Sequence, residues 1–167
     1  MSASKTTNND NPKEFVMRIH LSVILLASVF AATAARADLH QYKDYTVSHA
    51  VWSITTVKVH ANMRNAYLAG LKKTWVASME VAKKLGQVEN YHIYVSDLPQ
   101  SGNFNMMLVA KFKDDAQLAP NKARYEAFMK AWGSERNKET NEIAQKDYPA
   151  MRKITGEYRM RALTMTK

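Results

Sequence analysis

Apolar and polar positions along residues 47–165 follow two different periods. Apolar residues spaced three, four or seven apart predict helices over residues 62–85 and 120–150, the second with a break near Gly133. Stretches rich in β-branched and aromatic residues predict strands over residues 47–60, 88–96, 104–112 and 154–165. A polar turn at residues 99–103 separates the second and third strands, so these two are expected to form a hairpin.

The two predicted helices carry signals at their ends and along one side. Asn62 is the expected N-cap of the first helix and Gly86 its C-terminal stop. The apolar stripe of the first helix consists of Leu68, Leu71, Trp75, Ala82 and Leu85. The stripe of the second helix consists of Tyr125, Phe128, Met129 and Trp132. Both stripes are expected to pack against the sheet.

The predicted order of elements is β-α-β-β-α-β, which is the ferredoxin-like, split βαβ arrangement. It gives an α+β domain with one four-stranded antiparallel sheet that carries its helices on one face. Two helices can cover only one of the two faces of such a sheet. The other face must be solvated or covered by a partner, and we expect a second copy of the chain to cover it.

The alternation within each strand predicts which side chains point to the uncovered face. On the second strand Tyr91, Ile93 and Val95 are expected to face the helices, and on the last strand Tyr158 and Met160 are. The opposite alternation defines a pocket whose aromatic walls and few polar groups suit a flat aromatic or anionic ligand. The candidate pocket residues are Trp52, His92, Tyr94, Asn105 and Arg159.

His92 is the sharpest single candidate, because a histidine can shuttle protons near neutral pH or bind a metal. The alternative is a hydrogen-bonded interface histidine. Arg159 and Arg161 suit a carboxylate, and the alternative is a salt bridge on an exposed strand or interface. The remaining histidines are dispersed, with no HExxH motif and no facial-triad spacing. We therefore expect no metal site and no resident cofactor.

The N-terminal segment has the three parts of a secretory signal peptide. Residues 21–34 (LSVILLASVFAATA) are apolar but too short to span a bilayer, which takes about 20 residues. Arg18 precedes this run, and Ala35 and Ala37 frame an A-x-A cleavage site after it. The pattern predicts a signal peptide over residues 1–37, and an uncleaved N-terminal anchor is the alternative.

Cleavage before Asp38 predicts a periplasmic or secreted protein that has no membrane association afterwards. The translation start is open, since Met17 directly precedes the basic and apolar parts of the signal and residues 1–16 are polar. We expect a loosely held leader over residues 38–46 and a single domain over residues 47–167.

Composition limits the class of protein further. The 46% hydrophobic and 23% charged content is that of a globular chain. The formal net charge is +9, but lysines such as Lys72, Lys73, Lys83 and Lys84 are scattered through a helix, which indicates a solvated face and no nucleic-acid partner. Cysteine is absent, so disulfides, thiolate metal sites and a cysteine nucleophile are excluded.

One family resemblance follows from this layout. Residues 57–63 (VKVHANM), the long helix with Tyr67 and Trp75, and the tyrosine-rich hairpin resemble the dimeric α+β barrel superfamily. That group includes the antibiotic-biosynthesis monooxygenase-like, NIPSNAP-like and stress-responsive barrel families. The resemblance covers about residues 47–165. It implies a homodimer whose two sheets pack face to face and enclose a barrel.

Three functions are compatible with these features. The first is an exported binding or structural protein whose barrel holds a small apolar or aromatic ligand or none. The second is a cofactor-independent oxygenase or isomerase that acts on a small aromatic substrate. The third is a haem protein, since haem occurs in some barrels of the superfamily. The sequence contains no GxSxG, P-loop or Rossmann glycine motif and no legible acid–base pair, which favours the first.

Overall fold

The computed structural model describes residues 38–98 and 101–166. The predicted signal peptide lies outside these residues. The described strands are β1 Tyr45–Val47, β2 Val51–Val59, β3 Asn90–Val95, β4 Met106–Phe112, β5 Arg152–Met160 and β6 Leu163–Met165. The helices are α1 (Arg64–Leu71, Lys72–Val76 and Ala77–Lys84), α2 (Lys122–Trp132) and α3 (Ser134–Glu142, Ile143–Asp147 and Tyr148–Met151).

The main sheet has the strand order β3-β4-β2-β5, and every neighbouring pair is antiparallel. β3 and β4 form the expected hairpin, and α1 and α3 lead into the edge strands. This confirms the predicted ferredoxin-like α+β fold. The last predicted strand divides into β5 and β6, and β6 pairs with β1 in a separate two-stranded ribbon. β1 begins at Tyr45, within the segment expected to be a leader.

The core lies between the helices and one face of the sheet. Its larger cluster consists of Val57, Val59, Tyr67, Leu71, Met106, Leu108 and Tyr148. Ile93 and Val95 of β3 pack against this cluster, and Tyr91 meets the Trp75 ring edge-on at 5.4 Å between ring centroids. The predicted alternation of β3 is therefore confirmed. Its other side chains, His92 and Tyr94, are left on the opposite face.

The start of α1 differs from the expectation. Met63, not Asn62, is the N-cap residue, and its side chain caps no backbone N–H. Asn62 instead adopts the left-handed conformation, with φ 65°. Asparagine tolerates that conformation better than most residues, because its short polar side chain can bond locally. The turn before α1 therefore depends on the left-handed backbone conformation of Asn62.

The expected stripe of α2 is also only partly correct. Trp132 is buried and stacks on Phe128 with ring centroids 6.0 Å apart, but Tyr125 is 64% exposed. α2 is only 11 residues long and ends at Gly133, whose φ is 87°. The helix therefore buries the apolar residues near its C-terminal end, and fewer of them than the sequence spacing predicts.

Each long helix contains one π-helical turn, Lys72–Val76 in α1 and Ile143–Asp147 in α3. Thr74 lies in the first turn, and Tyr148 directly follows the second. Their hydroxyl oxygens are 2.5 Å apart, and Thr74 also donates to the Gly70 carbonyl at 3.1 Å. The two π turns therefore meet at a buried hydrogen bond between the helices. None of the helices in the described ranges is long and apolar enough to cross a membrane.

Candidate functional site

The face of the main sheet turned away from the helices is the candidate site, and we call it the open face. Strand register arranges its side chains in three rows across β3, β4, β2 and β5. The first row is Asn90, Lys111, Trp52 and Met160; the second is His92, Val109, Ile54 and Tyr158; the third is Tyr94, Met107, Thr56 and Gly156. In the second row, the two central residues are aliphatic, and the polar groups are the imidazole of His92 at one edge and the hydroxyl of Tyr158 at the other.

The open face is apolar in its middle. Val109 and Thr56 lie on the two central strands and are buried by their neighbours, with 7% and 4% exposed. Towards the edges, Tyr94, Tyr158 and Met160 are 51%, 52% and 54% exposed. Large apolar side chains half exposed on one continuous surface are unusual for a protein that acts alone and often mark an interaction site.

The ring of Tyr158 lies over Gly156 on this face. A Cβ at position 156 would lie 2.6 Å from the Tyr158 hydroxyl oxygen, so the tyrosine ring occupies the space above Gly156. The carbonyl of Gly156 accepts a hydrogen bond from Thr56 at 3.2 Å, and Thr155 donates to the same Thr56 hydroxyl at 2.9 Å. The threonines thereby satisfy the polar groups beneath the ring, which leaves the surface above them apolar.

The first row of the open face contains a charged group, Lys111, that is already paired. The Lys111 ammonium lies 5.6 Å from the centroid of the Trp52 ring and 2.9 Å from a Glu89 carboxylate oxygen. Trp52 is half-buried under this cation. A cation over an indole face contributes about 0.5–1 kcal/mol at exposed sites. Trp52 therefore forms the polar rim of the face as well as part of its apolar surface.

His92 and Tyr94 lie on the open face, as predicted. The ring of His92 is exposed and lies 5.9 Å from the Tyr94 ring between centroids. Its Nε2 is 3.2 Å from Nδ2 of Asn90, which is its hydrogen-bond partner among the described residues. The geometry suits the hydrogen-bonded alternative for His92.

Asn105 uses both ends of its side-chain amide to continue the sheet. Its Oδ1 accepts the N–H of Val59 at 2.7 Å, and its Nδ2 donates to the carbonyl of Val59 at 2.8 Å. The backbone N–H of Asn105 also donates to Val57 at 3.0 Å. The residue therefore extends the pairing of β2 with β4 beyond the end of the regular ladder, and its amide is largely occupied.

Arg159 does not join the other candidate residues. It pairs with Ser53, whereas Tyr158 pairs with Ile54. Since Ile54 points to the open face, Tyr158 points there too and Arg159 points to the opposite side. The alternation predicted for the last strand is therefore wrong, because Tyr158 and Met160 belong to the open face.

A β-bulge explains this error. Val57 pairs with Ile154 and Thr56 pairs with Gly156, so Thr155 is an extra residue in β5. An extra residue reverses the alternation of every side chain that follows it. A strand pattern that starts from Ile154 on the helix side therefore assigns Tyr158 to the wrong face. The guanidinium of the nearby Arg161 already has partners within the chain. It donates to the carbonyls of Ser48 and His49 and pairs with Asp115.

A buried cationic cluster lies on the helix side, between the two π turns and the start of β5. The guanidinium carbon of Arg152 lies 5.2 Å from the centroid of the Tyr148 ring and 6.0 Å from that of Tyr67. Burial raises the pKa of both tyrosines, and the charge of Arg152 opposes this rise. At Tyr91 the hydrogen bond to Glu80, 2.5 Å long, is the largest cause of a raised pKa.

Two depressions adjoin the open face. One, of about 140 Å³, lies beside Tyr94 and is lined by Tyr94, Val95, Ser96, Phe104, Asn105, Met106 and Met107. The other is a polar groove of about 870 Å³ at the end of β2. It is lined by Lys58, Val59, His60, Ala61, Asn62, Arg64, Asn65, Asp97, Leu98, Ser101 and Asn105. Sequence analysis missed this groove, because its residues come from three loops and element ends that only the fold brings together.

No group of three or more histidine, aspartate or glutamate side chains with the spacing of a metal site occurs within residues 38–98 and 101–166. The four candidates that the structure brings to the same sheet, Trp52, His92, Tyr94 and Asn105, instead frame an apolar surface with polar edges. Such a surface can hold an apolar partner or ligand by burial and orient it by hydrogen bonds.

No protein-family model and no curated protein matches the chain. Among solved structures, the chain is similar to a protein from Shewanella oneidensis, with 13% identity, a TM-score of 0.43 and coverage of 72% of this chain and 99% of that one. It is also similar to a dimeric protein of unknown function and ferredoxin-like fold from Bacteroides fragilis, with 12% identity, a TM-score of 0.36 and coverage of 72% and 99%.

A third similar structure is an uncharacterized NIPSNAP-like domain protein from Burkholderia xenovorans, with 13% identity, a TM-score of 0.39 and coverage of 71% and 86%. The class of this protein follows from its own element order and sheet topology. It is a ferredoxin-like α+β protein with one helix-covered face and one open face.

Proposed function

We propose that the protein is an exported homodimer in which two open faces pack together and hold a small apolar or aromatic ligand between them. The observation that carries this proposal is the continuous, partly exposed apolar surface that surrounds the buried Val109 and is formed by Trp52, Ile54, Tyr94, Met107, Tyr158 and Met160. A second sheet with the same surface would remove these side chains from water. Burial of apolar surface is the main driving force of association.

A second copy is the partner that fits this surface best. Four strands about 4.8 Å apart and about seven residues long give a flat face of roughly 450 Å² per copy. Two such faces correspond to roughly 900 Å², which is just under the lower limit of about 1,000 Å² for a specific interface. The face is apolar in the middle and polar at both ends, and a two-fold rotation matches such a surface to itself.

The charges favour one orientation of the two copies. Lys58 and Lys153 lie opposite each other at one end of the open face, and Lys111 with Glu89 lies at the other end. If strands of the two copies run in opposite directions, the lysine end of one lies over the Glu89 end of its partner. The reverse orientation would bring four lysines together, and like charges that face each other across an interface are destabilising.

The ligand would occupy the shallow depression beside Tyr94. Its volume of about 140 Å³ is similar to that of an engineered protein cavity that takes up one benzene molecule. A second sheet packed about 10 Å away would close it from above. Met107 and Phe104 supply apolar contacts there, and Tyr94 supplies a hydroxyl. The imidazole of His92 lies next to Tyr94, with the ring centroids 5.9 Å apart.

Native mass spectrometry of the protein recovered from an exporting bacterial host tests the proposal. We expect a dimer, each chain having the mass of residues 38–167 after signal cleavage, and an additional small-molecule mass in part of the sample. A bare monomer at micromolar concentration would overturn the pairing. A chain that still carries residues 1–37 would overturn the cleavage.

Two matched variants locate the interface. Tyr158 on the open face and Tyr125 on α2 are both more than half exposed in one copy. Tyr158→Glu is expected to raise the dissociation constant of the dimer more than tenfold, because it places an unpaired charge within the apolar surface of the interface. Tyr125→Glu is expected to leave the dimer intact. If both variants stay dimeric, with unchanged circular dichroism, the open face is not the interface.

A further inference from the structure

The polar groove at the end of β2 differs in character from the open face. Lys58 and Val59 are the last two residues of β2, and Asn105 directly precedes β4. The other lining residues come from the turn before α1, the first turn of α1 and the loop after β3. The groove is large enough for a small metabolite, since small-molecule sites generally have volumes of about 300–1,000 Å³. Its occupant therefore has to be inferred from its own side chains.

Two cations line the groove without a carboxylate partner. The Lys58 ammonium donates to the carbonyls of Ser101 and Gly102 at 2.5 and 2.8 Å, which fixes its position and leaves one N–H free. One nitrogen of Arg64 donates to the Ser96 carbonyl at 3.4 Å. In the described part of the chain, neither cation forms an ion pair. Two cations against the single carboxylate of Asp97 leave the groove with a net positive charge, which attracts an anion.

The polar groups around these cations include two side-chain amides that can donate to an anion. Asn62 and Asn65 line the groove, and within residues 38–98 and 101–166 no hydrogen bond occupies their side-chain amides. His60 is oriented by a contact of 3.1 Å between Nδ1 and the Ala150 carbonyl. A carbonyl only accepts, so Nδ1 carries a proton there. Amide donors beside a guanidinium fork suit a planar carboxylate, which accepts two parallel hydrogen bonds.

Asp97 adds a single acceptor to the same groove. Its negative charge disfavours polyanions, such as nucleic acid or polyphosphate, which would meet it within the same cavity. A ligand that satisfies both signs carries a carboxylate for the cations and a hydroxyl or amino group for Asp97. The exposed side chain of Leu98, 68% exposed, offers a short apolar wall beside it.

We propose that this groove binds a small carboxylic acid that also carries a hydroxyl or amino group. Arg64 and Lys58 bind the carboxylate, and Asp97 accepts a hydrogen bond from the second group. The site adjoins the apolar depression beside Tyr94, with Asn105 lining both, and all the side chains that would bind the acid belong to one copy. A monomeric protein that binds such an acid would overturn the proposed function and leave this site intact.

Titration of the ¹⁵N-labelled full-length protein with lactate, propionate and inorganic phosphate tests the site. We expect saturable amide shifts at Asn62, Arg64 and Asn65 with lactate, and at least tenfold weaker binding of propionate, which lacks the hydroxyl group. Phosphate binding without lactate binding would overturn the assignment to a carboxylic acid. Equal affinities for lactate and propionate would overturn the role of Asp97.

Two arginine variants separate a built site from the general positive charge of the chain. Arg64→Ala should weaken lactate binding at least tenfold, since it removes the fork that meets the carboxylate. Arg136→Ala removes the same charge from the exposed surface of α3 and should change the affinity by less than twofold. Equal losses in both variants, or no saturable shift with any of the three acids, would overturn the proposal.

Discussion

The two faces of the main sheet carry similar side chains, yet only one of them is buried within a single copy. On the helix side, Val57 and Met106 are almost completely buried under α1 and α3. On the open side, Tyr158 and Met160 are half exposed, although they are as large and as apolar. The amino-acid composition of a strand therefore does not decide which of its faces is covered.

The two faces differ in the contacts that each one makes within the chain. The helix side is closed by aromatic and hydroxyl contacts within the chain, such as the Tyr67 and Tyr148 rings that meet at 5.0 Å. On the open side, the Gly156 carbonyl beneath Tyr158 accepts a hydrogen bond from Thr56, whose hydroxyl accepts one from Thr155. One face thus stabilises the fold itself, and the other is available for association.

The largest expected effect contrasts a buried and an exposed apolar residue. Leu71 is 1% exposed in the core, so Leu71→Ala should lower the free energy of unfolding by about 3 kcal/mol through lost burial and a residual cavity. Met160→Ala on the open face should lower it by less than about 1 kcal/mol. Urea unfolding measures both, at a protein concentration low enough to dissociate a dimer.

Leu85→Ala at the exposed end of α1 is the control for the chemistry of the leucine substitution, and it should cost less than about 1 kcal/mol. If the loss for Met160→Ala equals that for Leu71→Ala under the same conditions, the open face contributes to the stability of one copy, and the contrast between the faces is wrong.

A pair of glycines provides a smaller and more specific test, because each one lies against a tyrosine ring. A Cβ at position 70 would lie 2.9 Å from Cε1 of Tyr148, whose ring is buried between the helices. Gly70→Ala should therefore destabilise the protein by about 1–2 kcal/mol, despite the higher helix propensity of alanine.

The corresponding substitution on the open face should be tolerated. A Cβ at position 156 also meets a tyrosine, but the half-exposed ring of Tyr158 can rotate away into solvent. Gly156→Ala is expected to change the free energy of unfolding by less than about 0.5 kcal/mol in the monomer. Thermal unfolding of the two variants side by side measures the difference. Equal destabilisation would mean that Tyr158 is as firmly held as Tyr148.

The fold could be predicted from the sequence, because element order and apolar period are local properties that the sheet topology preserves. The alternation of β3 was predictable for the same reason, since Ile93 and Val95 belong to a strand without irregularity. The alternation of β5 was not, because the extra residue at Thr155 depends on pairing with β2. Gly156 is a local sign of that bulge, since an isolated glycine within a strand often marks one, but only the pairing shows where the extra residue lies.

The candidate site shows the same division. Trp52, His92 and Tyr94 could be assigned to the open face from alternation alone. The hydrogen bonds between the Asn105 side-chain amide and the backbone of Val59 could not be predicted, since the two residues are 46 positions apart in the chain. The polar groove combines residues 58–65 with residues after β3, so only the folded structure brings Lys58 and Asp97 to one cavity.

The smallest expected effect concerns the hydroxyl pair that closes the helix side. Tyr148→Phe removes the hydrogen bond to Thr74 but leaves Thr74 bonded to the Gly70 carbonyl, so the loss at pH 7 should be about 1 kcal/mol. Tyr94→Phe on the open face, whose side chain is half exposed, should cost less than about 0.5 kcal/mol. Urea unfolding at pH 7 compares the two tyrosines directly.

The pH dependence of the same variant tests the cause of the effect. Burial raises the pKa of Tyr148 above its ordinary value of 10.0, so the folded state holds the phenolic proton more tightly than the unfolded state. The stabilisation is complete below pH 10 and is lost as the pH rises through the folded-state pKa. Tyr148→Phe should therefore make the fall in stability above pH 10 shallower, while Tyr67, whose pKa is also raised, continues to contribute to that fall. An unchanged slope in the variant would mean that Tyr148 is not sealed from water, and the helix side would then differ less from the open face than the contacts indicate.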